Sequence, residues 1–161
     1  MSVQRQNDTL LMRPFSASLP MALLLAREAT MRRFRPLLAE HGLTEQQWRV
    51  LRALASTDSP IEVTALADRT ALLAPSVTRI VARLVDDDVI RRDRVAGDAR
   101  RSTLALTARG RRLVARIAPR SEAAYADIEA AFGADRLAAL LNELSDLAVV
   151  LDSVDDAREA S

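Results

Sequence analysis

The stretch APSVTRIVARLVDDDVIRRDRVAGDARRSTLALT, residues 74–107, decides the fold. Its first half has the helical period. At 100° per residue, Val77, Ile80, Val81 and Leu84 share one side of a helix from about Pro75 to Asp87. Ser76, Thr78, Arg79, Ala82 and Arg83 lie away from that side. Its second half has the strand period. Val89 to Val95 and Ser102 to Thr107 read as two strands joined at a tip of Ala96, Gly97, Asp98 and Ala99. Leu104 and Leu106 alternate there with Thr103, Ala105 and Thr107. A helix with a short polar face, followed directly by a basic hairpin, frames the rest of the chain.

Upstream, Ala71 to Leu73 is a short apolar turn, and Thr64 is placed to cap a brief helix containing Leu66 and Ala67. Ile61 to Val63 predicts a short strand after the turn Asp58-Ser59-Pro60. Thr44-Glu45-Gln46-Gln47 has the form of a capping box. It opens a helix with Trp48, Leu51 and Leu54 on one face, ending near Ser56. The helix before it starts at Ser18, carries Pro20 in its first turn, bends at Pro36 and stops at Gly42. Residues 1–17 have no clear period and read as a loose arm. Downstream, Thr107 caps a long helix from Ala108 to about Phe132 with a bend at Pro119. Gly133 breaks the chain, and a last helix spans roughly Asp135 to Leu151 before an acidic tail. The order is helix, helix, strand, helix, helix, strand, strand, helix, helix. It predicts a mainly α chain with a small β-hairpin (α+β), built on a winged helix-turn-helix.

Composition excludes several functions. The chain has no cysteine and one histidine, His41. Disulfides, thiolate metal sites and cysteine redox sensing are therefore ruled out, and no metal or other cofactor is expected. No Ser-His-Asp or metal constellation is apparent, so the chain is not expected to be an enzyme. The apolar run Leu19 to Ala26 is too short to span a bilayer and ends at Arg27 and Glu28. With no signal-peptide pattern, a cytoplasmic protein without a membrane partner is expected.

Net charge is only +1, but it is unevenly spread. Residues 79–120 hold twelve arginines against five aspartates, a net of +7, whereas residues 121–161 hold two arginines against ten acids, a net of −8. Every basic side chain is arginine. Such asymmetry suits a polyanion-binding face beside a separate assembly region, and equally an uneven mixed-charge surface. On the candidate recognition helix, Ser76, Thr78, Arg79 and Arg83 form a face that a major groove admits, with Arg suited to guanine O6 and N7. An ordinary solvated helix would carry the same residues. On the hairpin, Arg91, Arg92, Arg94, Arg100 and Arg101 crowd together, and like charges across strands repel. An anion nearby relieves this. Asp98, two residues before Arg100, is placed to direct that guanidinium into a narrow minor groove, with Arg92, Arg94 and Arg101 on phosphates. The alternative is a solvated basic hairpin.

These residues, in this order, resemble the MarR family of bacterial regulators. The resemblance rests on Leu43-Thr44-Glu45-Gln46-Gln47-Trp48-Arg49-Val50-Leu51, on Pro75 to Leu84, on Asp98-Ala99-Arg100-Arg101 and on Leu106 to Arg111, and covers about residues 18–150. It implies a triangular homodimer whose first and last two helices form the dimerisation region, with Ser76, Thr78, Arg79 and Arg83 in the major groove of operator DNA. Asp98 and Arg100 match the family's wing pattern. Ser18 to Leu24, Ala26-Arg27-Glu28 and Arg33-Phe34-Arg35-Pro36 are further similar to the subgroup that controls homoprotocatechuate degradation operons. The chain accordingly divides into an arm (1–17), helical dimerisation segments (18–42 and 108–153), a winged helix-turn-helix domain (43–107) and an acidic tail (154–161).

Leu137, Leu140, Leu141, Leu144, Leu147 and Leu151 form a broad stripe on the last helix, which needs a partner surface. Packing onto its own domain is one solution. With the resemblance, a homodimer on double-stranded DNA is the better one. Many family members are repressors released by small aromatic acids. Such an effector needs an arginine, an apolar wall and a polar group for a hydroxyl. Arg13, Arg27, Trp48 and His41 are the candidates, although Trp48 also suits a core and Arg27 a pair with Glu28. The expected function is a repressor of an aromatic-catabolism operon. Alternatives are a drug- or stress-responsive repressor and a winged-helix adaptor that binds protein.

Overall fold

The structure, a computed structural model, describes residues 13–95 and 98–159, with side chains at these positions except 98–100, 156 and 159. Six helices and three strands follow one another as α1 (Leu19–Glu40), α2 (Glu45–Ala55), β1 (Ile61–Glu62), α3 (Val63–Thr70), α4 (Ala74–Asp86), β2 (Ile90–Val95), β3 (Asp98–Leu106), α5 (Ala108–Phe132) and α6 (Ala134–Glu159). A single 3-10 turn, Phe15–Ala17, precedes α1. The strands form one antiparallel sheet in the order β1-β3-β2. This is the α+β winged helix expected from the sequence.

Local chemistry sets the boundaries. At the end of α1, Gly42 takes φ +66, the Gly42 N–H bonds Ala39 O at 3.0 Å, and the Leu43 N–H bonds Leu38 O at 3.0 Å. That is the left-handed glycine stop, which satisfies the Leu38 and Ala39 carbonyls at the helix end. The capping box forms: Gln47 N–H donates to Thr44 Oγ1 (3.2 Å), and Thr44 N–H donates to Gln47 Oε1 (2.9 Å). Thr107 caps α5 by accepting from Gly110 N–H at 3.0 Å.

Three expectations need correction. Ser18 occupies the cap position of α1 without a side-chain cap bond, and Pro20 in the first turn removes a donor it might otherwise serve. Val63 opens α3 rather than closing β1, so Thr64 lies inside the first turn and Glu62 takes the cap position. The last helix runs past Leu151 and through Ser153 to Glu159. Its later residues include Ala and Arg, good helix formers, and no Gly or Pro interrupts them.

The core lies where α2, α3, α4 and the sheet meet the first half of α5. Leu51, Leu54, Leu66, Val77, Val81, Leu84, Ile90, Leu104 and Ile117 are buried there. The register Ile61↔Leu104 and Ile90↔Leu106 brings one apolar row of the sheet onto the helices. Each fully buried side chain of this kind contributes about 1.5–3 kcal/mol, so three on α4 outweigh any surface ion pair in fixing that helix. The exposed large apolar residues gather elsewhere. All but Leu73 lie on α1, α5, α6 or the turn before α1.

Gly110 sits hard against the backbone at the entrance to β2. A Cβ there would sit 2.0 Å from the Val89 carbonyl oxygen and 3.3 Å from Leu106 Cδ2. Gly110→Ala is expected to destabilise the protein by about 1–3 kcal/mol or more, because backbone rather than a flexible side chain must yield. Denaturant unfolding checks this, and a midpoint equal to wild type would refute it.

Candidate nucleic-acid interface and effector cavity

The polar face of α4 is where the helical period puts it. Val77, Val81 and Leu84 are buried and Ile80 is half-buried. Thr78, Arg79 and Arg83 are exposed, and Ser76 is half-buried. The Thr78 hydroxyl donates back to Ala74 O at 3.0 Å, leaving its oxygen to accept. Among the described residues Arg79 makes no ion pair. Arg83 Nε meets Asp87 Oδ2 at 3.0 Å across one turn, an exposed contact that an incoming anion can displace. The start of α2 borders this face. Thr44, Gln46 and Gln47 line a shallow cleft with Ser76, Arg79, Ile80 and Arg83.

The hairpin carries its arginines in differing states. Arg92 and Arg94 are exposed, and Arg92 Nε donates to Ser102 Oγ at 2.8 Å across the strands. Arg101 is held by the Glu62 carboxylate, Nε to Oε2 at 3.2 Å with a second bond through Nη2. Arg91 pairs with Asp93 at 2.5 Å. The strands fall out of step at the tip, where Arg94 faces Ser102 but Val95 faces Asp98 rather than Arg101. The bulge therefore lies on the segment carrying Ala99 and Arg100. The expected tip residues Ala96 and Gly97 lie outside the described residues. So do the side chains of Asp98 and Arg100, the pair read as a directed minor-groove arginine.

The expected effector residues do not converge. Arg13 is exposed ahead of α1. His41 lines a cavity with Arg83, Arg109 and Arg116 at the far end of α1. Arg27 is engaged by Glu28 (2.6 Å) and by Glu45, and Arg35 bonds the same two carboxylates. This closed set of two guanidiniums and two carboxylates straps α1 to the start of α2. Trp48 is 7% exposed and is both core and cavity wall.

Trp48 borders a cavity of about 210 Å³ between α1, α2 and α5. Met31, Phe34 and Trp48 give it apolar walls. Arg52 and Tyr125 give it a polar edge, with the Arg52 guanidinium bonded to the Tyr125 hydroxyl and 5.3 Å from the ring centre. The Phe34 and Tyr125 rings pack in a tilted arrangement, 4.8 Å between centroids and 53° between planes. A second hollow shares Trp48 and Arg52 and reaches Ser121, whose buried Oγ has no hydrogen-bond partner among the described residues. Arg52 and Tyr125 were not singled out from the sequence. They lie 73 positions apart, and only the packing of α2 on α5 joins them.

Residues 41–101 match the model of the MarR family. The homoprotocatechuate degradative operon repressor of Escherichia coli is 41% identical over 129 residues, 80% of this chain and 86% of the relative. The chain belongs to the MarR family. It is a transcriptional regulator of that family, similar in fold to solved members. The crystal structure of transcriptional regulator PA4135 aligns with a TM-score of 0.79 at 41% identity, over 86% of this chain and 98% of that one. NadR in complex with 4-hydroxyphenylacetate aligns with a TM-score of 0.75 at 34% identity, over 86% and 98% of the two chains. Among the described residues no helix of this regulator is long and apolar enough to cross a membrane. None of its His, Asp and Glu residues group as a metal site there.

The strap between α1 and α2 has a pH signature. Burial raises the Glu45 carboxyl, but hydrogen bonds from Arg35 and Arg27 outweigh it and hold the group below its ordinary value. A carboxyl depressed on folding stabilises above its unfolded value and loses that contribution as pH falls through its folded value. Glu45→Gln is therefore expected to lower the melting temperature at neutral pH. The gap from wild type should close in acid below the carboxylate range. Thermal unfolding across pH checks this, and a gap constant with pH would refute it.

Proposed function

We propose that this regulator is a homodimeric repressor of an aromatic-catabolism operon, released from operator DNA by a small aromatic acid. The observation that carries the reading is the α4 face. Its apolar side is locked in the core while Ser76, Thr78, Arg79 and Arg83 point outward beside an arginine-rich hairpin. On this reading α4 enters the major groove. Arg92 and Arg94 reach phosphates, Arg100 directed by Asp98 enters the minor groove, and Arg101, tied to Glu62, contacts a phosphate from a fixed position.

The helical segments 18–42 and 108–153 form the dimerisation region, and 43–107 the DNA-binding domain. Leu140, Leu141, Leu151 and, beyond the predicted stripe, Val149 and Val150 stay exposed on α6, as do Leu19, Leu23 and Leu24 on α1. A second copy would cover such an apolar surface.

The effector site is the cavity between α1, α2 and α5. The Arg52 guanidinium suits a carboxylate, and Trp48, Phe34 and Met31 suit an aromatic ring. The Tyr125 hydroxyl on the cavity edge is available to a ring hydroxyl. The named ligand of one relative, 4-hydroxyphenylacetate, has this chemistry, and the operon named for another degrades a related acid. Arg27, already neutralised by two glutamates, and His41, in a different cavity, contribute less than Arg52.

Two outcomes are expected. Arg79→Ala relaxes base preference, at roughly 1–3 kcal/mol for a lost bidentate pair. Selection from random duplexes checks it, and an unaltered motif would remove Arg79 from the reading face. Arg52→Ala keeps operator affinity but loses release by 4-hydroxyphenylacetate, read by fluorescence anisotropy of labelled operator. Release at the wild-type concentration would place the effector elsewhere.

A further inference from the structure

We propose that the cavity lined by the end of α1, the start of α2, the end of α4 and the first turns of α5 binds a phosphate group, either a free phosphate or monoester or a phosphodiester of the duplex backbone. The cavity measures about 360 Å³, and its lining is mostly polar. Its chemistry-bearing residues are His41, Gln47, Arg83, Asp87, Arg109 and Arg116. Three guanidiniums from two helices meet there against one carboxylate, and that carboxylate is already held by Arg83 at 3.0 Å.

Several arginines elsewhere in the protein are matched by carboxylates, while others, Arg79 among them, stand singly on the surface. Arg27 and Arg35 share Glu28 and Glu45, Arg91 takes Asp93, Arg101 takes Glu62, and Arg120 takes Glu40. What sets this cavity apart is that three guanidiniums line it together with a single carboxylate. Arg109 and Arg116 make no ion pair among the described residues. They are seven positions apart on α5, two turns along the same side, so both reach one cavity. Converging like charges cost free energy that an entering anion recovers. Guanidiniums bind phosphate oxygens bidentately. The scarcity of apolar lining separates this site from the Trp48 cavity and argues against an aromatic acid. Its volume leaves room for the small polar body of a phosphate monoester.

Arg83 and Gln47 form the wall this cavity shares with the cleft beside α4. An anion bound between Arg109 and Arg116 competes with Asp87 for Arg83 and draws it off the α4 face. Anion binding itself does not depend on the proposed DNA reading; only its effect on operator affinity does. The phosphate has two sources, a free metabolite or the backbone of the duplex.

The test titrates inorganic phosphate and methyl phosphate into the DNA-free protein at ionic strength fixed with chloride, read by calorimetry. Saturable binding is expected, weakened about tenfold or more in the double variant Arg109→Ala/Arg116→Ala, as for a lost guanidinium–phosphate pairing. The pair Arg109→Gln/Arg116→Gln keeps side-chain bulk, and unchanged melting temperatures show that both variants fold. At matched ionic strength phosphate is expected to weaken operator binding of wild type and not of either double variant. If free phosphate fails to saturate but the double variants lose about one unit of salt dependence per arginine, the duplex backbone is the source. Saturable binding that survives in both double variants overturns the proposal. So does the absence of saturable binding together with an unchanged salt dependence. Release by 4-hydroxyphenylacetate is expected to persist in both variants, which separates failure here from failure of the aromatic-effector reading.

Discussion

The carbonyl of Val89 is the point on which the architecture turns. It accepts the Thr107 N–H at 3.1 Å, it shares with Asp88 O the Thr107 hydroxyl (3.1 Å against 2.7 Å), and it faces Gly110 where no Cβ fits. The Val89 N–H in turn bonds Leu84 O at the end of α4, at 2.9 Å. One peptide segment thus fastens the last turn of the polar-faced helix, the mouth of the hairpin and the first turn of α5. These bonds lie beside buried Ile90, Leu104 and Leu106, where breaking any one strands a polar group away from water. The basic face of α4 and the basic hairpin are therefore carried by α5 as one body. A displacement of α5 moves both.

That coupling gives the arginine distribution its meaning. Net charge for the chain is close to zero, yet cations and anions do separate jobs along it. Near the α1–α2 junction the guanidiniums are neutralised by carboxylates and act as straps. On α4 and β2, Arg79 and Arg94 point outward, and Arg83 is held only by an exposed neighbour one turn away. Exposed pairs contribute little in water, whereas guanidinium–phosphate contacts release counterions, so the charge of the second group is left available to the partner proposed above. Arg101 sits between the two behaviours. Its bond to Glu62 links β3 to β1 and stiffens the base of the hairpin.

Much of this was legible in the sequence because local rules and global packing agree. Thr44 with Gln47, Gly42, Thr107 and the Val77/Val81/Leu84 row each specify one outcome, and each is observed. The rules that failed were those with a local competitor. Thr64 looked like a cap, but Val63 had already begun the helix from the sheet edge. Ala71 gave no warning of its left-handed φ of +48, since the α3–α4 turn carries no glycine to announce it. The cavity proposed for the effector was least legible. A cavity is made by what packing leaves unfilled, and Arg52 with Tyr125 come from helices distant in sequence. Arg13, Arg27 and His41 share chemistry suited to an acid, but the fold points them to solvent, to glutamates and to another cavity.

The position of α2 shows how a ligand between α1, α2 and α5 could reach the α4 face. One side of α2 presents Trp48 and Arg52 to the cavity; the other buries Val50, Leu51 and Leu54 under α3 and α4. Arg49 ties the same helix to the end of α3 by donating to Thr70 O at 3.0 Å. A ligand shifts an equilibrium only by its difference in affinity for two states. On the proposed reading that difference arises at Arg52. In the structure its guanidinium bonds Tyr125 of α5, so a carboxylate must share or break that link between α2 and α5. Because α5 carries the hairpin mouth and α2 carries the floor of α4, loosening one bond between them changes the relation of the two surfaces proposed to meet DNA. Close packing makes the two surfaces respond together rather than by gradual deformation.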